Sequence, residues 1–84
     1  MRNEILELSF EFALDIIKFC EILGVNKKYI ISEQLFRSGT SIGANIREAQ
    51  SPESKNDFIH KMKVASKEAI ETEYWLLLCK GSAG

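Results

Sequence analysis

The stretch Arg37 to Gln50, RSGTSIGANIREAQ, gathers two Gly, two Ser, a Thr and an Asn between strongly helical neighbours. Such a run could be a phosphate-cradling loop, whose backbone N–H groups bind the anion and whose Lys and Ser or Thr complete the site directly after the last Gly. Here Gly43 is followed by Ala44 and Asn45, and no apolar strand precedes the run. Nucleotide chemistry is therefore not supported.

Read as a helix, the same residues make sense. Leu35, Ile42, Ile46 and Ala49 fall on one face, with Ser38 and Gly39 at the same contact. Gly39 and Gly43 form GxxxG, which outside a membrane predicts only a close helix crossing, at a cost of about 1 kcal/mol per Gly in helix propensity. Arg37, Ser41 and Glu48 project from an adjoining face, with Asn45 between the two. Further on, Glu73 falls within the apolar sector of its helix, where a carboxylate must be paired. The expected result is a structural polar network of Arg37, Ser41, Asn45, Glu48 and Glu73, with Arg37 as the partner of Glu73. Acid/base catalysis is not expected, because the cluster lacks a His, a nucleophile with a neighbouring base, and metal-ligand spacing.

His60 is the single histidine, which excludes a multi-His metal site, and no cofactor is implied. It shares a helical face with Lys63 and Lys67. Together with Arg47, Lys55 and Lys61, these lysines are candidate phosphate contacts to RNA or DNA, read otherwise as a solvated polar face. No aromatic residues interleave them, so base readout of single strands is not suggested.

The elements that must position these residues are helices. The first is expected over about 3–23, where Glu4, Glu7, Glu11, Asp15 and Lys18 form a polar stripe between two apolar rows. One row is Ile5, Leu8, Phe12, Ile16, Phe19 and Leu23; the other is Leu6, Phe10, Ala13, Ile17 and Cys20. That is wider than one packing face needs and predicts two partners, with Gly24 ending the helix in a left-handed conformation. The second helix is expected over 33–50 with Ser32 as N-cap. The third is expected over 52–80, opened by Ser51 and Pro52. Phe58, Met62, Ala65, Ala69, Thr72, Leu76 and Cys79 then step at alternating intervals of four and three, a heptad seam. Tyr74, Trp75 and Leu78 lie off that seam, a surface awaiting another helix or subunit. No alternating strand pattern competes, so the fold class is all-α, an up-and-down helical bundle in one domain over 1–84.

Composition narrows the function classes. The chain has 84 residues, 45% hydrophobic, with a single Pro and a formal charge of −1. It is globular, exerts no global pull on nucleic acid or anionic membrane, and is small enough that association would help to stabilise it. The average conceals a pattern, since residues 1–24 balance to −3 and residues 25–67 to +4. Cys20 and Cys79 sit in apolar helical patterns rather than a CxxC pair, as expected of buried reduced thiols in the cytoplasm. No apolar run approaches the roughly 20 residues of a membrane span.

With these residues in place, a family resemblance emerges. QLFRSGTSIGANIREAQ, followed by DFIHKMKVASKEAIETEYWL, resembles the four-helix bundle proteins of the 23S ribosomal RNA intervening-sequence family, also called S23-like. The matching positions are Arg37, Ser41, Ile42, Asn45, Ile46, Glu48, Phe58, Glu71, Glu73 and Leu76, and the likeness runs from about Leu6 to Leu78. It implies a bacterial, non-enzymatic bundle protein that assembles as a ring-shaped homopentamer. The relatives it implies include the accessory variability determinant of diversity-generating retroelements, a basic barrel that engages nucleic acid. Two departures stand out. The family's fourth helix has no counterpart before the chain closes in CKGSAG, read as either a shortened terminus or an appended remnant. The net charge of −1 also contrasts with the strongly basic nucleic-acid-binding relatives. The expectation is a self-associating interaction scaffold with no small-molecule substrate; the rival is a nucleic-acid accessory factor tied to ribosomal RNA or a retroelement.

Overall fold

In the computed structural model, which describes residues 3–82, three helices follow one another: α1 (Glu4–Val25), α2 (Tyr29–Ala49) and α3 (Lys55–Ser82). Arg2 and the final Ala83 and Gly84 of the KGSAG end lie outside the described residues. The all-α expectation holds. The helices form an elongated layer of 46 × 22 × 16 Å, with α2 in the middle and packed on both neighbours. No Cα of α1 lies within 8 Å of a Cα of α3. Along its backbone α1 therefore packs on α2, while α3 reaches the core cluster it shares with α1 through the side chains of Trp75 and Leu76.

Each boundary has a local cause, and three differ from expectation. The side chain of Asn3 caps α1, accepting from the Leu6 N–H at 3.2 Å. At the other end Gly24 stays helical and Lys27, at φ 61°, is the left-handed residue. The N–H groups of Lys28 and Lys27 donate to the carbonyls of Leu23 at 2.8 Å and Gly24 at 2.9 Å, the paired bonds of a Schellman stop. Helix α2 starts at Tyr29, ahead of Ser32, because Ser32 is used elsewhere. Its hydroxyl donates to the Cys20 carbonyl at 3.1 Å, and the Cys20 thiol donates to the Ser32 carbonyl at 3.3 Å. Helix α3 starts at Lys55, so Pro52 lies in the preceding turn. Its cap is Ser54, whose Oγ accepts from the Asp57 N–H at 3.0 Å, while the Asp57 carboxylate accepts from the Glu53 N–H at 3.1 Å.

The α1–α2 contact is made possible by the glycines. A Cβ placed on Gly39 would lie 2.9 Å from the Ile16 side chain, and one on Gly43 would lie 3.2 Å from the Ser9 carbonyl oxygen. This is the close crossing that GxxxG predicts. The α2–α3 contact is centred on a small polar pair, Ser38 and Thr72, both buried, with Oγ atoms 3.0 Å apart. Ile16, Cys20 and Leu35 form the core cluster, and Phe19, Leu23, Trp75 and Leu76 pack round it.

Candidate interaction surface

The described helices bury few apolar residues. Six are buried (Ile16, Cys20, Leu35, Ile46, Ala49 and Ala65), whereas sixteen large hydrophobic residues are exposed. A three-helix layer explains the imbalance, because a helix in a layer is covered only along its edges. On one face Ile5, Leu8 and Phe12 of α1 and Phe58 and Ile59 of α3 are all exposed, on the side where Phe19, Leu23 and Leu76 close over the core. Of the seven seam residues of α3, Ala65 and Thr72 are buried, Met62, Leu76 and Cys79 are half-buried, and Phe58 and Ala69 are exposed. On the other face the second row of α1 borders a shallow cleft, lined by Leu6, Phe10 and Ala13 with Gly43, Ala44 and Arg47 of α2. Tyr74 and Leu78 are exposed as expected. Trp75 is not, since it packs on the core cluster.

The polar residues are arranged differently from the expected network. Arg37 reaches α3, but its partners are Glu68, at 3.2 Å, and Glu71; Glu73 is exposed. The Glu71 carboxylate also accepts from the Trp75 indole N–H at 2.8 Å, which ties the pair to the core. Glu71 and Glu73 lie about 100° to either side of the buried Thr72, and Glu71 is on the side it shares with Glu68, where Arg37 reaches α3; the i, i+4 spacing of Glu71 and Trp75 was the available signal for it. Ser41 and Asn45 stay on their own helix. The Ser41 hydroxyl donates to the Arg37 carbonyl at 2.6 Å, and the Asn45 amide donates to the Ser41 carbonyl at 2.9 Å. Glu48 pairs instead with Lys61 at 2.9 Å, and this hydrogen bond and charge hold the Lys61 ammonium above the ordinary lysine range. Four of the five residues thus form two separate ties from α2 to α3, through Arg37 and Glu48, and one chain of bonds along α2, through Arg37, Ser41 and Asn45; Glu73 belongs to none of them.

Of the candidate phosphate contacts, Arg47 borders the cleft on α1 and α2, Lys61 is engaged by Glu48, and Lys55, Lys63 and Lys67 are exposed, as is His60. The cysteines are free thiols; burial pushes Cys20 above its usual range, and Cys79 moves the same way for the same reason. Among the described residues no group of three or more His, Cys, Asp and Glu could hold a metal ion, and no helix is long and apolar enough to cross a membrane.

Comparison with known proteins agrees with the architecture. The family model described as 23S rRNA-intervening sequence protein matches residues 1–83. A solved structure from Bacteroides thetaiotaomicron, a protein of unknown function from the S23 ribosomal protein family, is 48% identical, with a TM-score of 0.91. The match covers 94% of this chain and 74% of that one. No curated protein matches.

Proposed function

Because the chain belongs to the 23S rRNA-intervening sequence protein family, we propose that it is a non-enzymatic helical-bundle protein that self-associates into a ring-like homo-oligomer and acts as an interaction scaffold. The observation that supports this reading is the surface: among the described residues sixteen large hydrophobic residues are exposed against six buried apolar ones, and contiguous exposed apolar surface marks interaction sites. Neighbouring copies would cover it. A count of five follows from the family resemblance, and free thiols at Cys20 and Cys79 suit work in the cytoplasm. Association and folding are then linked, so the thermal midpoint should rise as protein concentration is raised, followed by circular dichroism over a hundredfold range. A midpoint independent of concentration would contradict the reading.

The rival reading, a nucleic-acid accessory factor, is favoured by the exposure of Lys63, Lys67 and His60 on one helix. Glu48 counts against it by neutralising Lys61. If it holds, binding to structured ribosomal RNA falls steeply with salt and is abolished by Lys63→Glu with Lys67→Glu. Binding that is absent, or flat with salt, removes it.

A further inference from the structure

We infer that copies of this chain pair head to tail, the acidic outer edge of α1 on one copy lying against the basic outer edge of α3 on the next. The inference rests on the self-association reading and names its interface. Helix α1 meets α2 through Ser9 and Ile16, which seat against Gly43 and Gly39. At about 100° per residue, Glu4, Glu11 and Asp15 fall roughly 100–140° round the helix from Ile16, away from α2. Leu8 and Ile22 are exposed beside them, at 63% and 57%. Helix α3 meets α2 through Ala65 and Thr72, both buried. Lys63 and Lys67 lie about 140–180° round from Thr72, and exposed Ile70 and Tyr74 flank them. Neither lysine has an ion-pair partner among the described residues.

The two edges cannot neutralise each other within one copy, because α2 stands between them and no Cα of α1 comes within 8 Å of α3. They do lie at the same height. Glu48 meets Lys61 and Ser38 contacts Thr72 on one side of α2, while Gly43 meets Ser9 and Gly39 meets Ile16 on the other. These rungs set Glu4 to Glu11 of α1 level with roughly residues 61 to 68 of α3, at 1.5 Å rise per residue. A copy displaced sideways, with little axial shift, therefore brings Glu4 and Glu11 opposite Lys63 and Lys67.

Charge also selects the symmetry. A two-fold interface through α1 would oppose acid to acid, and one through α3 would oppose base to base, so only the heterologous pairing is complementary. Within a free copy, Glu11 and Asp15 are like charges at i, i+4, as are Lys63 and Lys67, and each pair is mildly unfavourable. The opposing edge relieves both. Lys18, one turn beyond Asp15, bounds the acidic edge, so complementarity is confined to the first two-thirds of α1.

The test uses two full-length variants, Glu4→Lys with Glu11→Lys and Lys63→Glu with Lys67→Glu, compared with the unaltered chain by sedimentation velocity. Helical content is monitored in parallel by circular dichroism. Each variant carries predominantly one sign on both edges and should self-associate at least about tenfold more weakly. An equimolar mixture should associate more strongly than either variant alone, since unlike copies now present opposite edges. Association of the unaltered chain should also weaken between about 0.05 and 0.5 M salt, as the screening length contracts below 10 Å. If the unaltered chain is a monomer throughout, the self-association reading itself falls. If it associates but the variants associate equally well and salt has no effect, only the edge pairing falls. If the lysine variant loses RNA binding while its association is unchanged, the basic edge serves nucleic acid and the inference is overturned. Should a variant lose its helical content, the salt response of the unaltered chain decides.

Discussion

Lys27 holds a left-handed backbone at φ 61°, a conformation a glycine adopts without strain, while Gly24 occupies a helical position with nothing within 4 Å of a prospective Cβ. Exchanging these roles should help: Gly24→Ala and Lys27→Gly should each raise stability by about 0.5–1 kcal/mol in urea unfolding. Loss of stability in Gly24→Ala would mean that Gly24, not Lys27, ends the helix. Gly39→Ala should go the other way. Its new methyl meets Ile16 at 2.9 Å, and an overpacking cost of about 1–3 kcal/mol outweighs the roughly 1 kcal/mol gained in helix propensity. A stabilised Gly39→Ala would refute the close crossing. Arg37 is a subtler case, because its side chain is 48% exposed and its carboxylate partners are partly exposed too. Arg37→Ala should cost no more than about 1 kcal/mol, since exposed pairs contribute little. It should nonetheless alter the fluorescence of Trp75, the single tryptophan, whose indole shares the Glu71 carboxylate with Arg37. A loss above about 3 kcal/mol would indicate a desolvated pair instead.

At the scale of the helices, α2 is the element to which everything else is attached. It offers glycines to α1 and small hydroxyls to α3, so its two neighbours approach for different reasons. The Thr72 hydroxyl lies 3.0 Å from Ser38 Oγ and 2.7 Å from the Glu68 carbonyl, and its single proton can serve one of them at a time. Removing either side chain should therefore be felt through the other: a double-mutant cycle of Ser38→Ala and Thr72→Val should give a coupling of about 0.5–1.5 kcal/mol. Additivity within about 0.3 kcal/mol would mean the two hydroxyls act independently. The helices themselves were legible in the sequence, because the apolar rows of α1 and the seam of α3 repeat over many turns. Their ends were less so. Ser32 and Ser51 are good caps by type, but Ser32 is bonded to Cys20 across the α1–α2 contact, and Ser54 with Asp57 forms the working cap of α3. A cap is chosen by what its hydroxyl can reach in the fold, which the local sequence does not encode. The same limit displaced Glu73 in favour of Glu68 and Glu71, since only the position of α2 decides which carboxylates face Arg37.

At the scale of the whole molecule, the sequence carried more apolar pattern than three helices can use. Both rows of α1 are real, yet α2 is the helix whose backbone packs along them, and Ile5, Leu8, Phe10, Phe12 and Leu14 are all exposed. On the self-association reading, the features that find no partner within the layer are those a second copy would cover. The small-residue run of α2, by contrast, is spent inside the layer on the crossing with α1 and the contact with α3. Sedimentation equilibrium of the full chain at micromolar concentration tests the central claim most directly. The account predicts a mass that is a multiple of the 9.5 kDa protomer and that falls on dilution and with added salt. A single 9.5 kDa species at every concentration would contradict it.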